Sequence, residues 1–312
     1  MVLGWTDSKI PNSGNAGQKW GTRCISIFLK VFSTIDEMRS ASRAARLTGK
    51  RLGLVPTMGA LHEGHLSLVR AARAANDVVA ASIFVNPAQF GPNEDLAKYP
   101  RSFERDCQLL EAERVDFVFA PSVEEMYPAG AVTWVTVEEL SGKLDGRSRP
   151  GHFRGVATVV SKLFHIVEPD RAFFGQKDAA QVAVIRRMVR DLKVPVEIVV
   201  GPIVREADGL AMSSRNTYLS PEQRKQALVL HRSLKRVEAL VVVGERNAAR
   251  LAAAGLEEFR GEPAVRLDYF EVVNADTLDP VENVAGGALV AVAGYVGTTR
   301  LLDNLVIGLR ST

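Results

Sequence analysis

Four short stretches of this chain collect residue types suited to phosphate and carboxylate chemistry. The first is Pro56-Thr57-Met58-Gly59-Ala60-Leu61-His62-Glu63-Gly64-His65. Gly59 and Gly64 let the backbone approach a phosphate, and a helix opening here favours an anion at its N-terminus. His62 and His65 are three apart, so both can point to one side, where imidazoles donate hydrogen bonds to phosphate oxygens as charge develops. Their spacing departs from His-Glu-x-x-His and no third ligand follows, so no metal site is expected here. The second stretch is Asn86-Pro87-Ala88-Gln89-Phe90-Gly91. Gln89 donates and accepts at once, which suits a hydroxy acid. Asn-Pro is also a common start to a simple turn.

The third stretch is Phe173-Phe174-Gly175-Gln176-Lys177-Asp178-Ala179-Ala180-Gln181. Lys177 can neutralise phosphate charge, Asp178 suits a helix start, and Gln181 lies one turn further on. The same Lys-Asp pair also describes a solvated helix cap. The fourth runs from Val204 to Asn216 and contains Met212-Ser213-Ser214-Arg215. Two hydroxyls and a guanidinium in succession make a phosphate grip. A polar interdomain linker, or a closing lid, fits the same position.

These loops need strands and helices to place them. From residue 25 the pattern alternates between the two. Residues 25–31, 51–55, 78–85, 116–120, 172–174 and 196–200 read as strands, those at 78–85 and 196–200 as buried ones. Thr34 to Glu37 is a capping box before a helix ending near Gly49. Further helices are expected at 65–76, 102–114, 156–167 and 179–192. The alternation predicts a Rossmann-like, doubly wound parallel sheet over residues 25–203, with ligands expected at its strand ends. After Val204, Ser220-Pro221-Glu222-Gln223 caps a long helix and residues 247–260 form another. Strands at 266–274 and 288–293 have no helix between them. Residues 204–312 therefore read as a smaller α+β lid domain, and residues 1–24 as a flexible extension.

Composition bounds the rest. The 312 residues are 46% hydrophobic and 24% charged, an ordinary globular balance. A net charge of +3, without a basic stripe, gives no reason to expect nucleic acid. No apolar run of membrane-spanning length occurs. The two cysteines, Cys24 and Cys107, are far apart, have no metal-ligand spacing and fit a reducing cytosol.

The His62-Glu63-Gly64-His65 and Met212-Ser213-Ser214-Arg215 loops resemble the two signatures of the nucleotidylyltransferase superfamily. The complete strings, in order, resemble the pantothenate synthetases over residues 27–310. That resemblance implies condensation of pantoate with β-alanine, with ATP and Mg²⁺, through an adenylate. It implies ATP contacts from Met58, Gly59, Ala60, Leu61, His62, Glu63, Gly64 and His65. Gly175, Gln176, Lys177, Asp178, Val204, Met212, Ser213, Ser214 and Arg215 would complete the nucleotide site. Catalysis would fall to His62, His65, Lys177, Ser213, Ser214 and Arg215. Gln89 and Gln181 would hold pantoate, Gln89 also β-alanine, and Arg149 and Tyr99 match further pocket positions. A cytoplasmic homodimer is implied as well. Glu104-Arg105-Asp106 departs from the acidic pattern of some members. Asp106 is thus expected to assist Mg²⁺ only through water. Two other readings stay open on these residues: a nucleotidyltransferase with a phosphorylated acceptor, and a nucleotide-binding module without turnover.

Overall fold

A computed structural model describes residues 29–92 and 94–308, so the N-terminal extension and Cys24 lie outside the described residues. The first half builds β1 (Lys30–Phe32), α1 (Ile35–Leu47), β2 (Leu52–Thr57), α2 (Glu63–Ala75), β3 (Val78–Ile83), α3 (Phe103–Ala112), β4 (Phe117–Phe119) and α4 (Val123–Met126). There follow α5 (Asp145–Ser148), α6 (His152–Val167), β5 (Arg171–Gly175), α7 (Ala179–Leu192) and β6 (Glu197–Gly201). The remainder forms α8 (Pro221–Ala227), α9 (Val229–Val242), α10 (Ala248–Arg260), β7 (Val265–Val273), β8 (Ala288–Val296) and β9 (Thr299–Ile307).

The six N-terminal strands pair in parallel in the order β1-β4-β3-β2-β5-β6. From β2 the chain winds outward through β3 to β4, then returns to the other side of β2 for β5 and β6. The reversal lies between β2 and β5, and in such sheets ligands bind beyond the strand ends at that crevice. Helices cover both faces. Leu52, Leu54 and Ala80 face α6 and α7, whereas Val55, Val79 and Val118 face α2 and α3. Thr34 caps α1 through a complete capping box with Glu37, as the sequence predicts. A cap of this kind contributes about 1 kcal/mol.

The second sheet is antiparallel, in the order β7-β8-β9. Its central strand β8 is buried on both faces. Leu289, Ala291 and Ala293 join the core under α6 and α7, while Val290, Val292 and Val296 pack on the α9 and α10 side. A two-residue turn, Gly297-Thr298, joins β8 to β9, with Val296 paired to Thr299 across it. Gly297 has φ +59°, the left-handed conformation such turns require.

Three elements differ from what the sequence predicts. β6 is an edge strand, half exposed rather than buried on both faces. The helix capped by Ser220 is not one long helix. It breaks at Leu228 into α8 and α9, although its capping box with Gln223 is present. A third C-terminal strand, β9, has no counterpart among the predicted strands.

Candidate active site

The loop leaving β2 is fixed from below. Thr57 donates through Oγ1 to the Ser82 carbonyl at 2.6 Å and accepts from the Gly59 amide at 3.1 Å. The chain then turns through two left-handed residues, Gly59 (φ 82°) and Ala60 (φ 51°). The amides of Ala60 and Leu61 each donate to one oxygen of Asp106, both at 2.9 Å, and Ser102 adds a third hydrogen bond. Asp106 is fully buried. Both of its oxygens hold the loop in place.

His62 then caps α2 in an unusual way. Its Nδ1 accepts from the Gly64 amide at 3.2 Å, and the Nδ1 of His65 accepts from the His62 amide at 3.4 Å. Two imidazoles thus replace the hydroxyl and carboxylate of an ordinary capping box. Because each Nδ1 is an acceptor, each ring carries its proton on Nε2. Burial, helped by Lys177, lowers His62 to about 4, and burial, helped by His62, lowers His65 to about 3. Both rings are therefore neutral at physiological pH. The rings lie 4.1 Å apart. Gly64 is required here because a Cβ would sit 2.9 Å from the His62 ring.

At the end of β5, on the other side of the topological switch, a 3-10 turn spans Gln176–Asp178 before α7. Lys177 Nζ lies 3.6 Å from the Asp178 carboxylate. Burial raises the Asp178 carboxyl, but Lys177 and Arg215 outweigh it and hold it below its ordinary value. The second signature loop is a hairpin closed by the Met212 amide to the Val204 carbonyl at 3.0 Å and by pairing of Arg205 with Ala211. Beyond it, Arg215 forms a bidentate ion pair with Asp95, and Ser214 donates to the Tyr99 hydroxyl at 3.3 Å.

One cleft of about 220 Å³ joins these parts. Met58, His62, Gly64 and His65 line it from the first loop; Gly175, Lys177, Asp178 and Gln181 from the third; Val204, Met212, Ser213, Ser214 and Arg215 from the fourth. Gln89, Tyr99 and Arg149 complete the wall. Gly59, Ala60, Leu61, Glu63 and Gln176 are not on that wall. The Ala60 and Leu61 amides are spent on Asp106, the Leu61 side chain is in the core, Glu63 pairs with Arg70, and Gln176 bonds β9.

At the Gln89 end the amide orientation is fixed. Asn86 donates to Gln89 Oε1 at 3.1 Å and is itself held by the Tyr127 hydroxyl at 2.9 Å. That leaves Gln89 Nε2, now 3.1 Å from the Met58 sulfur, as the donor beside the cleft. His152 donates from Nδ1 to the Gln89 carbonyl at 2.8 Å. Burial and the neighbouring Arg149 lower His152 to about 4, so it is neutral, and its Nε2 accepts from Arg149 at 3.0 Å. Arg149 also grips Glu94 with two bonds, at 2.8 and 2.6 Å. Sequence reasoning missed His152, Glu94 and Asp95. A hint existed in the acidic pair of the loop after Gln89, which only a folded chain brings opposite Arg149 and Arg215.

Among the described residues no group of three or more His, Cys, Asp or Glu side chains is placed to hold a metal ion. No helix among them is long and apolar enough to cross a membrane. The cleft offers an anion neutral N–H donors, Lys177 and two arginines, Arg149 and Arg215, and offers a small polar acid the amides of Gln89 and Gln181.

The family model described as Pantoate-beta-alanine ligase matches residues 30–306. The chain is 66% identical over 286 residues to the pantothenate synthetase of Acidobacterium capsulatum, covering 88% of this chain and 96% of that protein. It is 62% identical over 279 residues to that of Koribacter versatilis, covering 89% and 96%. Among solved structures, the pantothenate synthetase of Thermus thermophilus superposes with a TM-score of 0.84 at 51% identity, covering 88% of this chain and 98% of that one. The pantoate-β-alanine ligase of Francisella tularensis, complexed with β-γ ATP and β-alanine, superposes with a TM-score of 0.73 at 33% identity, covering 89% and 97%. The fold, the convergent loops and these likenesses agree: the chain belongs to the pantoate–β-alanine ligase family of pantothenate-forming enzymes.

Proposed function

We propose that the chain makes pantothenate in two steps, with pantoyl adenylate held in the cleft between them. In the first, an oxygen of the pantoate carboxylate attacks the α-phosphorus of ATP and pyrophosphate leaves. In the second, the amine of β-alanine attacks the acyl carbon, AMP leaves and the amine gives up a proton. The observation that carries this reading is the meeting of four loops around one cleft at the switch point.

The carboxylate is already ionised at neutral pH, so the first step needs no strong base. It needs two anions brought together and the leaving charge stabilised. Lys177 and Arg215 supply positive charge, and Ser213 and Ser214 supply hydroxyl donors. His62 and His65 act as neutral Nε2–H donors to the phosphates. Gln89 and Gln181 hold pantoate, and Gln89 also meets β-alanine. Mg²⁺ bound to the ATP phosphates would further neutralise their charge beside Lys177 and Arg215. Residues 204–312 act as the lid, with the hairpin after Val204 covering the adenylate against water. A homodimer working in the cytoplasm belongs to the same reading, and sedimentation of the purified chain tests the dimer.

The deciding experiment omits β-alanine. Labelled pyrophosphate enters ATP when enzyme, Mg²⁺ and pantoate are present, and adding β-alanine then releases AMP and pantothenate in equal amounts. Exchange that requires β-alanine would overturn the order of steps. Exchange with another acid but not with pantoate would overturn the substrate.

A further inference from the structure

Two consecutive residues of the edge strand β9, Asp303 and Asn304, are almost fully buried although both are strongly polar. Burial of such groups is costly unless each is hydrogen-bonded. Asp303 accepts from the Asn304 backbone amide at 2.8 Å, and the other side-chain partners lie in the loops carrying Gln176–Lys177 and Arg205. The Asn304 side-chain nitrogen donates to the carbonyls of Gln176 and Lys177, at 2.9 and 2.8 Å. Its oxygen accepts from the Gln176 side chain at 3.0 Å. Only one orientation of the amide satisfies all three bonds, since two carbonyls must face N–H groups. Asp303 accepts from Arg205 in two bonds, at 2.6 and 3.0 Å, and the same guanidinium donates to the Gly209 carbonyl at 3.1 Å. One strand therefore holds the Lys177 turn and the root of the second signature hairpin.

We infer that Asn304 is a positioning residue for adenylation, setting Lys177 against the phosphates by clamping the Gln176 and Lys177 carbonyls of the turn that carries it. This rests on the reading above, in which Lys177 meets ATP. The clamp bears on the backbone at Lys177 itself, so a loose turn displaces the ammonium directly. Asn304 touches no substrate; it acts through Lys177. The carboxylate of an Asn304→Asp substitution has the same shape and one of its oxygens still accepts from Gln176, yet the other, an acceptor in place of the Nδ2 donor, faces two acceptor carbonyls.

The test is a double-mutant cycle on pantoate-dependent pyrophosphate exchange, using Asn304→Asp, Lys177→Ala and both together, with melting temperatures recorded for each. Asn304→Asp is expected to lower the exchange rate by about 10- to 100-fold, the scale of a misplaced catalytic group. In the Lys177→Ala background it is expected to cost less than about twofold further, as coupled residues behave. A merely structural role would lower exchange by the same factor in both backgrounds, and that additive result overturns the inference. Gln176→Ala keeps the test alive should Asn304→Asp fail to fold. It frees one bond of the clamp without touching β9, and is expected to cost a few-fold, again only when Lys177 is present. Absence of exchange in the unsubstituted chain is a different outcome: it refutes the adenylation reading and, with it, the inference built on it.

Discussion

Arg215 and Asp95 are joined through two hydrogen bonds, Nε and Nη2 of the one each 2.9 Å from an oxygen of the other. The loop proposed to grip ATP is thereby tied to the loop after β3. Burial works against the Arg215 charge, but Asp95 more than offsets it. On the proposed reading a triphosphate would compete with Asp95 for the same guanidinium. Asp95→Asn is therefore expected to loosen residues 213–218 in the free chain. Their amides should exchange hydrogen about three- to tenfold faster, an effect of about 1 kcal/mol for a partly exposed pair. Unchanged exchange across 213–218 would show that the hairpin is held elsewhere.

In the proposed mechanism His62 and His65 are Nε2–H donors rather than acids. Pyrophosphate exchange should then show no inflection near pH 6.5, because both rings stay neutral down to about 4 and 3. His65→Ala is expected to abolish exchange, while His65→Gln, which keeps an N–H donor and cannot titrate, retains part of it. Stability follows the same shifts. The folded pKa values are depressed, so the stabilisation is present above the unfolded value near 6.5 and is lost as pH falls through the folded ones. The melting temperature should fall between pH 6.5 and 4, and more gently in a His62→Gln, His65→Gln variant. An equal slope in both proteins would remove these rings from the acid response.

Gly64→Ala separates stability from activity. Alanine is the better helix former by about 1 kcal/mol. Its Cβ, however, would meet the His62 ring at 2.9 Å. The ring must turn, and it then loses the bond that fixes its tautomer. The variant should melt no lower than the parent chain yet lose roughly 100-fold in exchange rate. Full activity would mean that the placement of His62 does not matter.

The amides at the acid end should govern pantoate and not nucleotide. Gln181→Ala is expected to raise the Michaelis constant for pantoate about tenfold, the size of a lost bond to a charged partner. ATP affinity should stay within about threefold. Gln89→Glu replaces the donor held in place by Asn86 with a carboxylate facing a carboxylate, and should be the more damaging change. Steady-state kinetics with each substrate varied decides this. A selective loss of ATP affinity would reverse the assignment.

Asp106→Asn distinguishes a structural carboxylate from a metal-assisting one. Its two oxygens face two amide hydrogens. An amide nitrogen in place of either leaves one donor opposed and unsatisfied, at about 1–3 kcal/mol. The melting temperature should drop while the Mg²⁺ concentration for half-maximal exchange stays the same. A shift in that Mg²⁺ requirement would show that Asp106 assists the metal.

The sheet and its crevice are legible in sequence because apolar runs such as Val78–Ile83 alternate with capped helices. Sequence overstates the burial of β6 because a run of valine and isoleucine reads the same at an edge as at the centre. β9 escapes notice for a reason tied to function. Asp303 and Asn304 interrupt the apolar alternation of a strand, and they are buried only because Arg205, Gln176 and Lys177 meet them across the fold. The loop strings name most of the polar cleft-lining side chains but miss the apolar wall that α6 supplies through Val156, Val159, Val160 and Leu163. Nor do they name what holds the polar ones in place. The Glu94 and Asp95 partners of Arg149 and Arg215 lie 55 and 120 residues away, and no local pattern carries that information.

The two-residue turn between β8 and β9 limits how this chain can change length. With Val296 paired directly to Thr299, the hairpin has no slack. An added residue at Gly297-Thr298 can loop out into solvent and leave the pairing below it intact. A lost residue cannot be absorbed there and must slide β9 one place along β8, which turns each of its side chains to the opposite face. Asn304 would move into the place of Asp303 opposite Val292, and Leu305 would stand opposite Ala291, before the two carbonyls now held by an amide. The tip of this hairpin, far along the chain from either signature loop, can therefore lengthen over generations of the protein but not shorten.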